Sequence, residues 1–367
     1  MGPLDGIRII ELAGIGPTPF AGMMFSDMGA EVIRVDRPGG SGNPVASVDG
    51  PMERGKKSVV ADLKQPEGVE VVLSLAASAD VVFEGFRAGV AERLGVGPDE
   101  CLARNPKLVY GRMTGWGQDG PLANRAGHDI NYISLAGPLA HIGRAGQPPS
   151  VPLNLIGDFG GGSAFLVLGV CAALLHVARG GEGQVVDAAM VDGAAYLLSP
   201  LYSAHASGFW TDNRGENFLD SGAHFYEVYA TSDDRWMAVG AIEPPFYAAF
   251  LEGLGLAGEE LPHQMDRSAW PTMKEKVARI FYSQTQEHWV EVFGETDACV
   301  TPVLTMGEAP SHPQAQQRDS FFEAFGHPQP SPAPRWSKTV AKPASSSPEI
   351  GRDTEAVLAD LKISSEN

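Results

Sequence analysis

Cysteine is nearly absent, with three in 367 residues, at Cys101, Cys171 and Cys299. They are odd in number, far apart and in apolar company. Neither a disulfide framework nor a cysteine metal site is expected, and all three read as buried thiols of a reducing compartment. Positive charge is scarce too. Against 45 Asp and Glu stand 27 Lys and Arg, a net charge of −18, which argues against nucleic acid or an anionic membrane surface as the main partner. Long apolar runs are missing: the longest, Ala164 to Ala178, is interrupted by His176 and is too short to span a bilayer. No secretory leader is visible, since Met1-Gly2-Pro3-Leu4-Asp5 leads directly into a strand pattern. Pro3 argues against myristoylation of Gly2, and the closing Ser365-Glu366-Asn367 is no peroxisomal address. The expected location is the cytoplasm.

What is present is the patterning of a soluble enzyme. The length exceeds a comfortable single core, so two domains are expected. Short buried strands are expected at Ile7 to Leu12, Glu31 to Val35, Ser58 to Leu63, Asp80 to Glu84 and Lys107 to Met113. Helical stretches near Pro19 to Met28, Pro66 to Ala77 and Pro98 to Arg104 lie between them, with Thr18 as an N-cap and Gly29 as a stop. Such alternation predicts a mostly parallel sheet with helices on both faces, a Rossmann-like α/β large domain. Residues 163–178 give the strongest helix signal, and a strand at Gln184 to Ala188 follows. Beyond about residue 222 the texture changes to a hairpin around Ser232-Asp233-Asp234-Arg235, then helices near 245–254, 273–282 and 286–293 and a strand at 300–304. A large domain over 1–200, rejoined by 325–367, and a smaller α+β domain over 222–324 are expected. The Pro- and Ser-rich stretch 326–348 reads as a connector, and 354–361 as a terminal helix.

Two short segments carry titratable groups beside glycines: Gly127-His128-Asp129-Ile130-Asn131-Tyr132 and Gly157-Asp158-Phe159-Gly160-Gly161-Gly162. Two different bases near a helix start could remove a proton from one face of a carbon and return one to the other. His128 lies in a loop whose path is set by Gly115, Gly117, Gly120 and Pro121, and such loops often carry sites. Asp158 also has a plain structural reading as an N-cap of the long apolar helix. The run of glycines after it costs roughly 0.5–1 kcal/mol per residue against alanine in a helix, which implies a close approach to the backbone. An anion or enolate oxygen at that N-terminus is one candidate. Glu243 ends an apolar strand, where it can be a helix N-terminal acid or a carboxylate that orients a histidine. Gly14-Ile15-Gly16 suggests dinucleotide binding, but Pro19 stands where the third glycine belongs, and a βαβ glycine turn is the better reading. Arg54, Lys56 and Lys57, with Arg37, Lys64, Arg87 and Arg93, suit as a group a ligand with several phosphates.

With these residues in view, the chain resembles the class III CoA-transferase and racemase family, and within it the α-methylacyl-CoA racemases. The segments that carry the resemblance are 4–38, 54–64, 84–94, 112–132, 152–162, 183–193 and 239–246. Ala88 departs from the proline usual after the arginine. The resemblance implies an interlocked homodimer, with the site between the large domain of one subunit and the small domain of the other. It implies His128, supported by Glu243, as the base for one enantiomer and Asp158 as the base for the other. It also implies that Arg37, Ala61, Asp62, Leu63, Lys64, Gly85, Phe86, Arg87, Arg93, Gly127, His128, Asp129, Ile130, Asn131 and Tyr132 line a CoA site. The substrate implied is a 2-methyl-branched acyl-CoA, with no metal and no organic cofactor.

The alternative is a CoA transferase of the same family, in which the aspartate matching Asp158 is a nucleophile. Fold and Asp158 do not separate the two. His128 with Glu243 favours the racemase, because a transferase needs no second base. If Asp158 is to act as an acid in one direction, burial must raise its affinity for a proton.

Overall fold

The Val- and Ile-rich runs of the first half are buried along their whole length, which is what a parallel sheet covered on both faces requires. The computed structural model describes residues 2–40, 50–341, 343–344 and 346–365. Met1 and Glu366-Asn367, which enter the expectations about targeting, and Lys342 and Ser345 of the expected connector lie outside the described residues. The first elements are β1 (Arg8–Leu12), α1 (Pro17–Asp27), β2 (Glu31–Asp36), β3 (Lys57–Val60), α2 (Pro66–Ala77), β4 (Val81–Glu84), α3 (Val90–Arg93), α4 (Pro98–Arg104), β5 (Val109–Thr114) and α5 (Asp129–Ala136). There follow α6 (Pro138–His141), α7 (Ala164–Ala178), β6 (Gln184–Ala189), α8 (Met190–Leu197), α9 (Ser199–Ala206), β7 (Tyr226–Ala230), β8 (Trp236–Gly240), α10 (Pro244–Gly253), α11 (Trp270–Phe281), α12 (Gln286–Phe293) and β9 (Val300–Pro302). The chain closes with α13 (Pro313–Gln317), β10 (Phe321–Ala324), β11 (His327–Pro330) and α14 (Thr354–Ser365).

Two compact units result, one made of 1–136, 153–197 and 313–367, the other of 137–152 and 198–312. Relative to the expected division, 137–152 and 198–200 fall in the second unit and 313–324 in the first. In the first unit six strands pair in the order β3-β2-β1-β4-β5-β6, all parallel. Ile9, Val81, Phe83 and Val109 meet α1 and α7 on one face, through Phe25, Leu166 and Val170. Ile10, Leu12, Val35 and Val82 meet α2, α4 and α14 on the other, through Val72, Leu75, Cys101 and Val357. The edge strand β3 is not left bare. The Asp353 carboxylate and Thr354 hydroxyl accept from the amides of Ser58 and Val60 at 2.9 and 3.0 Å, so the start of α14 covers it.

Several local expectations are corrected. Helix α1 starts two residues early, with Gly16 at the N-cap position and Pro17 in its first turn, so Thr18 lies inside the helix and caps nothing. Gly29, at φ +96°, does provide the stop. The apolar helix continues backwards from Ala164 as a π-helical segment, Leu155–Ser163. Together they make 24 residues, less than half buried, long and apolar enough by length and composition to cross a membrane. The sequence run suggested fewer. Cys101 is buried, but Cys171 is half-buried and Cys299 exposed, the last at φ +54° in the loop before β9. The start of the expected connector is the antiparallel hairpin β10–β11.

Of the basic cluster, Arg54 and Lys56 are buried and Lys57 is partly exposed. Lys56 is fully buried, with its ammonium 2.7 Å from both Glu11 and Glu53 and donating to the Pro19 carbonyl at 3.1 Å. Arg54 makes a two-pronged pair with buried Asp27 at 3.0 and 2.5 Å, and Lys57 binds Glu31 at 2.5 Å. These cations answer carboxylates inside the first unit, not phosphates.

The second unit is a three-stranded antiparallel sheet, β7-β8-β9, packed by α10 to α12. The β7–β8 hairpin closes through Thr231 and Arg235 as expected. Its core is aromatic: Tyr229 stacks on Phe281 at 5.2 Å, and Phe281 also meets Trp289 at 5.0 Å.

Burial drives the Glu11 carboxyl up to about 7 against the pull of Lys56. Lys56→Met would leave the buried Glu11 without its cation, while Glu53 keeps Arg34 at 2.8 Å, at an expected cost of about 3–5 kcal/mol. The loss should be largest at pH 8 and smaller at pH 5, where Glu11 takes a proton. Urea unfolding at the two pH values measures this, and a loss equal at both contradicts it.

Candidate active site

The carboxyl ends of the parallel strands form one row, and the order reverses between β1 and β4, the position at which open α/β sheets bind their ligands. Most of the first-unit residues expected to line the CoA site follow one of these ends, while Asp158 lies on the π-helical segment. Arg37 comes after β2, Ala61 to Lys64 after β3, Gly85 to Arg87 after β4, and the loop to His128 after β5. Arg93 closes α3, just beyond the β4 loop.

His128 is the residue before α5. Its carbonyl accepts the amides of Asn131 and Tyr132 at 2.7 and 3.2 Å, and its own amide donates to Asn131 Oδ1 at 3.1 Å. This ties the His128 backbone down while the imidazole stays exposed. The loop before it is held by two rings. Tyr132 donates its hydroxyl to the Gly127 carbonyl, and Trp116 meets the Tyr132 ring edge-on at 4.8 Å. A Cβ on Gly127 would stand 2.7 Å from the Tyr132 ring, so glycine is required there.

Asp158 does not cap a helix. It lies inside the π-helical segment, and the free amides at that segment's start, those of Gly157 and Asp158, go to Asp129 Oδ2 at 2.5 and 2.9 Å. Asp129 is only 4% exposed. The glycines also have a reason other than a ligand. A Cβ on Gly161 would stand 2.7 Å from the Ala194 amide nitrogen, and one on Gly193 1.9 Å from the Gly161 carbonyl oxygen, so α8 crosses backbone against backbone. The amides of Gly160 to Gly162 lie within the i→i−5 ladder, not at an open helix end. The amides without an intrahelical acceptor near His128 are those of Asp129 and Ile130, at the start of α5.

Asp158 Oδ2 accepts from Asn154 Nδ2 at 3.1 Å. It also lies 3.6 Å from where a Cβ of Gly16 would stand, beside the start of α1. Phe159 packs on Phe20 at 4.6 Å, and Ser163 donates to the Pro17 carbonyl at 2.7 Å, fixing α1 against the π-helical segment. Burial raises the proton affinity of Asp158 and the Asp129 charge adds to it, while the Asn154 hydrogen bond and the nearby His128 charge oppose them. His128 and Asp158 are thus close enough to feel each other. Burial, then the charges of Asp158 and Asp129, push the Tyr132 phenol up to about 12.

Asn154 was missed from the sequence because 152–157 reads as a loop. Its spacing of four from Asp158 signals a shared helix face once the π-helical segment is known. Glu243 belongs to the second unit, where it precedes α10 and makes no side-chain cap. Its carboxylate is exposed, and its charge raises the proton affinity of the Cys299 thiol, after burial. Asp36, which ends β2, is taken by Arg34 at 2.9 Å and Ser58 at 2.6 Å. Among the described residues no group of three or more His, Cys, Asp or Glu is placed to hold a metal ion.

The profile of CoA-transferase family III matches residues 4–354. Over 365 residues, 99% of this chain and 94% of the relative, the sequence is 48% identical to alpha-methylacyl-CoA racemase of Mus musculus. Identity to the Homo sapiens protein of the same name is 46% over the same spans. A crystal structure of a CAIB/BAIF family protein from Brucella suis superposes with a TM-score of 0.84 at 26% identity, covering 98% of this chain and 99% of that one.

Asn154→Ala removes an interaction that favours the ionised carboxylate, so the Asp158 titration midpoint should rise. Carbonyl ¹³C NMR of the carboxyl across pH 3–9 reads it, and a midpoint at or below that of the parent protein would contradict this electrostatic account.

Proposed function

We infer that this chain, which belongs to CoA-transferase family III, interconverts the 2R and 2S epimers of 2-methylacyl-CoA thioesters. It removes an α-proton and returns one on the opposite face. The observation that most supports the reading is that two unlike bases, His128 and Asp158, lie within electrostatic reach of each other, in a chain nearly half identical throughout to curated racemases.

In this mechanism His128 takes the proton from one epimer while Asp158, carrying a proton, delivers it to the other face; the reverse reaction exchanges the roles. A thioester α-hydrogen is weakly acidic, so the enolate oxygen needs stabilisation worth several kcal/mol. The start of α5 is suited to this, with the unbonded amides of Asp129 and Ile130 and the positive end of the helix beside the His128 base. This replaces the Gly160 to Gly162 amides as the oxyanion site. Glu243 would charge and orient His128. Arg37, Lys64 and Arg87 on the carboxyl-edge loops and Arg93 at the end of α3, all exposed, would meet the phosphates of CoA. Ala61 to Leu63, Gly85, Phe86 and Gly127 to Tyr132 would complete its cleft. No metal or organic cofactor enters a reaction written this way.

A homodimer is part of the proposal. Helix α7 turns Leu166, Val167 and Val170 to the sheet, yet Leu168 is 64% and Leu175 53% exposed on the same helix. Leu135 and Tyr196 add 64% and 70% exposed surface on α5 and α8. Apolar area of this extent implies a cover, and a second copy of the chain is the occupant proposed.

The test is incubation with a (2S)-2-methylacyl-CoA in D₂O without any acceptor acid. Deuterium uptake with appearance of the 2R epimer is expected. In His128→Ala, exchange should survive from one epimer only, and in Asp158→Asn from the other only. CoA transfer to an added carboxylic acid without exchange would instead make Asp158 a nucleophile. Leu168→Glu with Leu175→Glu should shift the mass measured by light scattering from two chains to one, and an unchanged mass would remove this face from the interface.

A further inference from the structure

We propose that Asp129 is the positioning residue of the Asp158 base, its Oδ2 locking the segment that carries one base to the helix that begins at the other. The proposal rests on the two-base reading above. It says how the pair is held and tuned.

Asp129 is the first residue of α5, and it reaches across to the start of the π-helical segment 28 and 29 residues on. Both amides, Gly157 and Asp158, converge on one oxygen. The other, Oδ1, is buried with no hydrogen-bond partner. A residue needed only as a cap could be Ser, Thr or Asn, each of which offers one acceptor without a charge. Here a whole carboxylate is kept in a nearly dry position, half of it unused by the cap.

The surplus charge has a consequence for Asp158. The charged or titratable groups that face the Asp158 carboxyl are His128 before α5, Asp129 on α5 and Tyr132 one turn later, with the neutral amide of Asn154 donating from its own segment. Asp129 is the carboxylate among them, and its charge favours the protonated form of Asp158. The geometry fixes where Asp158 points. The charge keeps it able to carry the proton it must deliver.

Asp129→Asn separates the two effects, since the amide oxygen still accepts both N–H groups while the charge is gone. Deuterium uptake is measured from each epimer between pH 4 and 9, and the Asp158 epimer is identified as the one that still exchanges in His128→Ala. For that epimer the acid limb should move to lower pH by roughly 0.5–1 unit, because the carboxyl ionises more readily without a neighbouring negative charge. Asp129→Ala, which also removes the acceptor, should cut exchange from that epimer about tenfold, several times more than exchange from the other.

An unmoved acid limb in Asp129→Asn, or equal losses from both epimers in Asp129→Ala, overturns the positioning role and leaves the racemase reading standing. No exchange from the parent protein with either epimer overturns both. Should Asp129→Ala fail to fold by circular dichroism, the pH profile of Asp129→Asn decides the question alone.

Discussion

The site depends on a close approach of two backbones. Gly193 of α8 lies against the carbonyl of Gly161, at a distance no other residue pair tolerates. The segment beside it is wound five residues per hydrogen bond instead of four. Such widening is uncommon and tends to mark functional positions. Here it sets Asp158 between the start of α1, at Gly16, and the loop that carries His128. An ordinary α-helix over the same residues would turn the carboxylate to another bearing. The glycines that look like a landing place for an anion are the packing surface that makes this winding possible.

Charge inside the first unit serves the same placement. Lys56, in contact with Glu11 and Glu53, also donates to the Pro19 carbonyl in the first turns of α1. Helix α1 is the one whose start stands beside Asp158. A buried ion pair is weak support for stability, because removing both ions from water costs several kcal/mol each. Its value here lies in fixing the register of α1 against β1 and β3. Counting cations along the chain therefore misjudged them. Those flanked by carboxylates of neighbouring elements are internal fittings, and the arginines at the carboxyl edge of the sheet are the ones exposed to solvent.

Much of the fold was legible because its signals are local. Pro66 and Pro98 start helices where proline is tolerated, Gly29 stops one, and the Val- and Ile-rich runs became the strands of the sheet. His128 and Asp158 were legible as site residues because glycine and proline mark an unusual backbone path around them. What escaped depends on partners distant in sequence. Asn154 could not be paired with Asp158 without the π-helical segment, whose winding is decided by α8 some thirty residues later. Lys56 could not be assigned to Glu11 without the βαβ crossing that brings them together. Cys299 is exposed and stands at a left-handed backbone position that nothing in its neighbours announces.

A two-base epimerisation makes a demand that one-way proton abstraction does not. Each group must be a competent base when empty and a competent acid when loaded, for substrates of almost equal energy. In water an imidazole and an aspartate carboxyl differ by roughly two to three units of pKa, so an unadjusted pair would hold the proton on one side. The protein narrows the gap from the carboxylate side. Asp158 is taken partly out of water and given a carboxylate neighbour, both of which strengthen its hold on a proton, while His128 stays exposed. The Asn154 hydrogen bond and the histidine charge pull the other way and favour the ionised form. A nucleophilic aspartate would need its carboxylate free and ionised, and a neighbour that favours protonation works against that. The electrostatics around Asp158 therefore suit proton traffic better than anhydride formation.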